Sequence, residues 1–137
     1  MNHTTSLRPL ADAASRQAYA PYSRLHVGAA LRSASGATYS GCNVENGSLS
    51  IGLCAERAAI AAAVLAEGPA FRLSAIAISA FNSHGRAMPV PPCGACRQAL
   101  QEFAGDATVG FLGGDGSWTE VGVESLLPHG FVLPEDL

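Results

Sequence analysis

Apolar residues recur at helical spacing near the start of the chain. Leu7, Leu10, Ala14 and Ala18 share one face, which predicts a helix from Leu7 to Ala20 that Pro21 ends. Two strands follow, Val27 to Arg32 and Thr38 to Asn43, joined by the hairpin-length turn Ser33-Ala34-Ser35-Gly36-Ala37. Ser48 to Gly52 is a polar, Gly-containing entry to a long Ala-rich helix, Leu53 to Glu67, stopped by Gly68-Pro69. Leu73 to Ala80 is a continuous apolar run of the kind that forms a strand buried on both faces. After a Gly/Pro-rich loop to Pro92, a helix is expected from Cys93 to Phe103, then a buried strand from Thr108 to Leu112. Gly113-Gly114-Asp115-Gly116 turns the chain into a strand at Trp118 to Val121. So short a connection joins only antiparallel neighbours, because a parallel crossover needs about a dozen residues or more. Val123 to Leu127 reads as a short helix, and the tail from Pro128 to Leu137 as a segment that packs or frays. The order α-β-β-α-β-α-β-β predicts an α/β fold: one mixed five-stranded sheet covered by helices, its last two strands antiparallel, in a single domain over residues 1–137.

Composition narrows the function. The chain has 137 residues, 48% hydrophobic and 14% charged, with a formal net charge of -3, which fits a compact globule. Every basic side chain is an arginine (Arg8, Arg16, Arg24, Arg32, Arg57, Arg72, Arg86, Arg97), and these are scattered among acids. A protein that grips a nucleic-acid backbone needs a clustered cationic face, so a polymeric nucleic-acid partner is disfavoured. The N-terminus lacks the apolar stretch of a signal peptide, and no run has membrane-spanning length, so the expectation is a cytoplasmic protein with no membrane partner. Four cysteines in a reducing compartment point to metal or catalysis before disulfides.

Two segments carry the candidate chemistry: Cys54-Ala55-Glu56-Arg57 and Pro91-Pro92-Cys93-Gly94-Ala95-Cys96-Arg97. Each places thiols at or near a helix start, where the dipole and free N–H groups favour the thiolate that binds metal. Cys93 and Cys96, as a Cys-x-x-Cys pair, can direct both sulfurs to one side, and Cys54 supplies a third. Three protein ligands with one position left for water is the pattern of a catalytic zinc site, one ion per chain, whereas structural zinc usually takes four ligands. Glu56, two residues after Cys54, is placed to take a proton from a zinc-activated water and deliver it to substrate. Arg57 is placed to offset the charge of three thiolates through hydrogen bonds to sulfur.

Beyond these motifs, Ala18-Tyr19-Ala20-Pro21-Tyr22-Ser23, Val27-Gly28-Ala29-Ala30-Leu31 and Gly41-Cys42-Asn43-Val44-Glu45-Asn46 closely resemble the small, homotetrameric cytidine deaminases, as does Leu126-Leu127-Pro128. The resemblance runs from about residue 7 to 131. It implies a three-layer α-β-α fold and hydrolytic deamination of cytidine and deoxycytidine at carbon 4, giving uridine and deoxyuridine plus ammonia, the chemistry of pyrimidine salvage. It also implies that Asn43 and Glu45 bind ribose hydroxyls and that the backbone around Ala55 contacts the pyrimidine. Phe131 matches an aromatic that approaches the base, often in a neighbouring subunit's pocket, so a homotetramer with shared pockets is expected. The sequence departs from the family at Leu25, near the substrate, and at Leu49, where aromatics are usual. Both changes remove aromatic surface, so tolerance for bulkier or 4-amino-substituted pyrimidine nucleosides is expected.

Other readings stay open on the sequence. Cys93 and Cys96 alone fit a redox pair, and adding Cys42 gives a four-cysteine structural zinc site in an interaction module. A related deaminase acting on a nucleoside antibiotic or an aminopurine shares the metal motifs. Glu56 alone is an unremarkable first-turn helix acid, and Asn43 and Glu45 alone are ordinary residues of a turn after a strand. Arg97 reads as a solvated helix charge or a subunit contact, and the four histidines show no ligand spacing.

Overall fold

The computed structural model describes residues 3–104 and 106–136. Five strands form one sheet: β1 (His26–Ser33), β2 (Thr38–Cys42), β3 (Leu73–Phe81), β4 (Thr108–Leu112) and β5 (Trp118–Gly122), in the order β2-β1-β3-β4-β5. β1 pairs antiparallel with both β2 and β3, β3 runs parallel to β4, and β4 and β5 form the expected antiparallel hairpin with Leu112 opposite Trp118. The four α-helices are α1 (Arg8–Ser15), α2 (Ala55–Glu67), α3 (Gly94–Phe103) and α4 (Val123–Leu126).

The alternation of side chains along the central strands separates two cores. Val27, Ala29 and Leu31 of β1 join Ile76 and Ile78 of β3 against Ala59, Ile60 and Ala63 of α2 and Leu100 of α3. On the opposite face Ala30, Ala75 and Ala77 meet Leu7 and Ala11 of the α1 region, with Trp118 packed against them. The three-layer α-β-α arrangement follows, with α2 and α3 on one face and α1 on the other. Small residues set the spacing. A Cβ at Gly28 would collide with the Ala11 carbonyl, and one at Gly41 would lie 2.5 Å from the Ala59 nitrogen, so α1 and α2 approach the sheet backbone closely. No helix among the described residues is long and apolar enough to cross a membrane.

The first helix differs from its periodicity. It ends at Ser15 rather than Ala20, because the backbone beyond it pairs elsewhere: Tyr19 N–H donates to the Asn43 carbonyl at 3.0 Å, and its carbonyl accepts from Glu45 N–H at 2.8 Å. That extended pairing outweighs the helical spacing of Ala18. The second helix likewise starts two residues late, because Leu53 and Val44 exchange two backbone hydrogen bonds of 2.9 Å. The tail packs, through contacts of Phe131 with α3.

Candidate active site

Cys54 and Cys93 each occupy the cap position immediately before a helix, Cys54 before α2 and Cys93 before α3. Their backbones are extended, with ψ of 152° and 168°, and neither side chain makes a capping hydrogen bond, so both sulfurs are free to turn away from their own helices. Cys96, in the first turn of α3, is fully buried. The three Sγ atoms lie within 4.8 Å of one another, with Cys54 and Cys93 3.8 Å apart. Sulfurs on a tetrahedral zinc, at about 2.3 Å from the ion, stand about 3.8 Å from each other, so the donor set and its spacing fit zinc. One zinc per chain is held at this triad. Cys42 is outside it, and all four cysteines are free thiols, which removes the four-cysteine site among the described residues.

The electrostatics favour metal binding. The hydrogen bond between Cys54 and Cys96, with help from Arg57, brings the Cys54 thiol down to about 5, and the same contact pushes Cys96 up. Arg57 Nη2 reaches Cys54 Sγ at 3.5 Å and the Gly52 carbonyl at 3.4 Å, while its Nε is buried without a partner. Arg57 is therefore turned toward the sulfurs, as expected. Glu56 is 4% exposed, and burial raises its carboxyl above the ordinary value.

These groups open onto a cleft of about 350 Å³, within the range of small-molecule sites. Cys54, Cys93, Ala55 and Glu56 line it, together with apolar Leu25, Val27, Val44, Leu49, Leu53 and Val90 and polar Ser23, Asn43 and Glu45. The polar rim is already hydrogen-bonded. Asn43 Oδ1 accepts from Val27 N–H at 2.8 Å, and Nδ2 donates to the Leu25 carbonyl at 2.9 Å. The Glu45 carboxylate accepts from Tyr22 N–H at 3.0 Å, from Ser23 N–H at 3.1 Å and from the Ser23 hydroxyl, and this last bond leads in holding it below the usual carboxylate range.

A model of the cytidine and deoxycytidylate deaminase zinc-binding region matches residues 1–112. The chain belongs to this family. It is 44% identical over 125 residues to a cytidine deaminase of Sporosarcina psychrophila, covering 90% of this chain and 87% of that one. A cytidine deaminase of Halalkalibacterium halodurans is 43% identical over 119 residues, covering 86% of each. Among solved structures, the cytidine deaminase of Burkholderia pseudomallei superposes with a TM-score of 0.81 at 38% identity, covering 96% of this chain and all of that one. That of Mycobacterium tuberculosis gives 0.74 at 37%, covering 92% and 94%.

Within this family framework the structure lines the cleft with every expected site residue except three. Cys96 is buried beneath it beside the other two sulfurs, Arg57 lies behind the sulfurs, and Phe131 lies outside the cleft, 65% exposed, on the surface of α3. The sequence reading missed the wall made by Val44, Leu53 and Val90, which carry no polar signal. It also missed Ser23 as the partner of Glu45, although the Pro21-Tyr22-Ser23 segment had stood out. Arg97 is half-buried and donates from Nε to the Pro92 carbonyl at 2.8 Å and from Nη1 to the Leu126 carbonyl at 3.1 Å, tying the loop before α3 to α4.

Proposed function

We propose that this protein hydrolyses cytidine and deoxycytidine to uridine and deoxyuridine with release of ammonia, as a cytoplasmic enzyme of pyrimidine salvage working as a single domain. The observation that carries the reading is one corner of the fold: three converging sulfurs and a buried carboxylate, Glu56, at the edge of a cleft of nucleoside size. Bound there by Cys54, Cys93 and Cys96, zinc supplies Lewis acidity that makes water nucleophilic at neutral pH. The chain's own residues do the rest. Glu56 takes a proton from the attacking water and gives it to the ring nitrogen. It then takes the second proton, from the new hydroxyl at carbon 4, and gives it to the amine, which leaves as ammonia as the carbonyl forms. Arg57 holds the Cys54 sulfur in place and offsets its charge.

Ala55, fully buried at the cleft, presents its backbone to the base. Asn43 has used one donor and one lone pair on the backbone of residues 25 and 27, and keeps one of each for the sugar. Glu45, fixed as a carboxylate by Ser23, accepts from a ribose hydroxyl. Leu25 and Leu49 both line the cleft, and Leu49 is well exposed at its mouth, which supports tolerance of bulky or 4-amino-substituted pyrimidine nucleosides. If Leu25→Phe and Leu49→Tyr leave the ratio of kcat/KM for such analogues to that for cytidine unchanged, the tolerance is not set here. The same leucines keep a second substrate reading open, an aminated nucleoside of the antibiotic or aminopurine type.

A homotetramer with pockets shared between subunits completes the reading. Between Arg57 and Glu67 helix α2 carries no charge, and Ala61, Leu65 and Ala66 face outward, where a lone helix would be polar. Phe131 lies outside its own cleft and is exposed, as expected of a residue that serves a neighbour. The deciding experiment follows the ultraviolet spectrum of cytidine with purified protein, beside a Glu56→Ala control and a zinc assay. Conversion to the uridine spectrum that is lost in the control supports the enzyme. Full zinc with no turnover of cytidine or its analogues, and no effect of Glu56→Ala, supports instead an interaction module stabilised by zinc.

A further inference from the structure

Three hydrogen bonds fix a single residue of a tail that has no helix or strand of its own. Gln98 Nε2 donates to the Phe131 carbonyl at 2.9 Å, Gln101 Nε2 donates to the same oxygen at 3.1 Å, and Phe131 N–H donates to Gln98 Oε1 at 3.2 Å. Gln98 and Gln101 are three residues apart on α3 and so share one face of it. The preceding Gly130 belongs to the same device, because a Cβ there would fall on the Gln101 side-chain amide. The peptide is thus held while the ring is left bare: Phe131 is 65% exposed, and Val132 and Leu133 beside it are also open to solvent. A frayed tail would lack these hydrogen bonds. Gln98 also stands two residues after Cys96, so the helix that carries two of the metal ligands carries this clamp as well.

We propose that Gln98 and Gln101 are positioning residues for nucleoside binding, holding Phe131 so that its ring closes the cleft of a second copy of this chain. The inference rests on the proposed reading that Phe131 serves a neighbouring pocket. A second copy is the fitting occupant because one chain carries both halves of the contact: a fixed, exposed aromatic outside its own cleft, and a cleft whose mouth is apolar and open at Val44, Leu49 and Leu53. A clamped tail is ordered before substrate arrives. Without the clamp, ordering it would subtract from the binding energy of each nucleoside, so affinity falls while the chemistry at Glu56 is untouched.

The test uses the zinc-loaded full chain. Three hydrogen bonds, each of modest net strength, predict that the double variant Gln98→Leu, Gln101→Leu raises KM for cytidine about tenfold with kcat within about twofold. Zinc content, oligomeric state and melting temperature stay at wild-type values. Gly130→Ala should move KM the same way without altering the surface of α3. An unchanged KM in both variants overturns the proposal, and so does a loss of zinc or of assembly that accounts for the lost activity. Phe131→Ala separates the clamp from the reading beneath it. If Phe131→Ala raises KM and the clamp variants do not, only the clamp fails; if Phe131→Ala has no effect, the neighbouring-pocket reading fails first. Coexpressed Phe131→Ala and Glu56→Ala chains should recover activity in mixed assemblies, since a Phe131→Ala chain whose cleft receives the tail of a Glu56→Ala chain has Glu56 of its own and Phe131 from its neighbour.

Discussion

The metal corner and the nucleoside rim share one cleft but are built in opposite ways. At the corner, backbone geometry does the work: two cap positions and one first-turn position bring three sulfurs within 4.8 Å, and none of these side chains caps its helix. At the rim, Asn43 and Glu45 are first structural, holding the backbone of residues 22, 23, 25 and 27, and only their remaining valences face the cleft. Losing a corner residue should therefore remove chemistry, whereas losing a rim residue should cost both affinity and local order.

The largest effect is expected for Cys54→Ala, which should lose zinc and turnover together; a variant retaining a full zinc equivalent would break the ligand assignment. Chelation of the wild type should likewise lower the melting temperature, because the free energy of binding metal at the folded triad stabilises the fold. Next comes Glu56→Gln, expected to keep zinc and fold but lose roughly a hundredfold to ten-thousandfold in kcat, the usual contribution of a general acid–base group. Metal analysis beside steady-state kinetics separates it from the cysteine variant.

At the rim, Asn43→Ala removes two part-buried hydrogen bonds and should lower stability by about 1–3 kcal/mol as well as raise KM. Glu45→Gln, whose contacts are exposed, should raise KM with a smaller change in melting temperature. Equal thermal losses in the two would erase the distinction drawn between them.

The smallest effect lies away from the cleft, where the Glu67 carboxylate accepts from Ser33, Ser35 and Tyr39 hydroxyls at 2.7, 2.7 and 2.9 Å. These bonds, that from Ser33 foremost, hold its folded carboxyl below the ordinary 4.5. A group depressed on folding stabilises above its unfolded value and loses that contribution as pH falls through the folded one. The melting temperature of Glu67→Gln should therefore fall less than that of the wild type as pH drops below 4.5, while the two differ by a constant amount near neutrality.

Much of this architecture is legible in the chain. Continuous apolar runs marked β3 and β4, the four-residue glycine turn forced the last hairpin, and the paired cysteine motifs located both helix starts that hold metal. The errors share one cause. Helical spacing extended α1 to Ala20, but Tyr19 pairs with Asn43 and Glu45, far along the chain and outside any local window. The hydrogen bonds of Arg97 were likewise not legible, because both acceptors are carbonyls, which carry no signal in side-chain sequence.

By itself the sequence determined the candidate donors, since thiols at this spacing can gather on one ion and a carboxylate at position 56 can serve beside them. It determined the sheet as well, because period and turn length are local properties. The tertiary structure decided which groups face each other: that Ser23 locks Glu45, that Asn43 holds the wall it helps to form, and that Gln98 and Gln101 seize the tail at Phe131. Those pairings depend on distances across the fold, and such distances exist only once the core has packed.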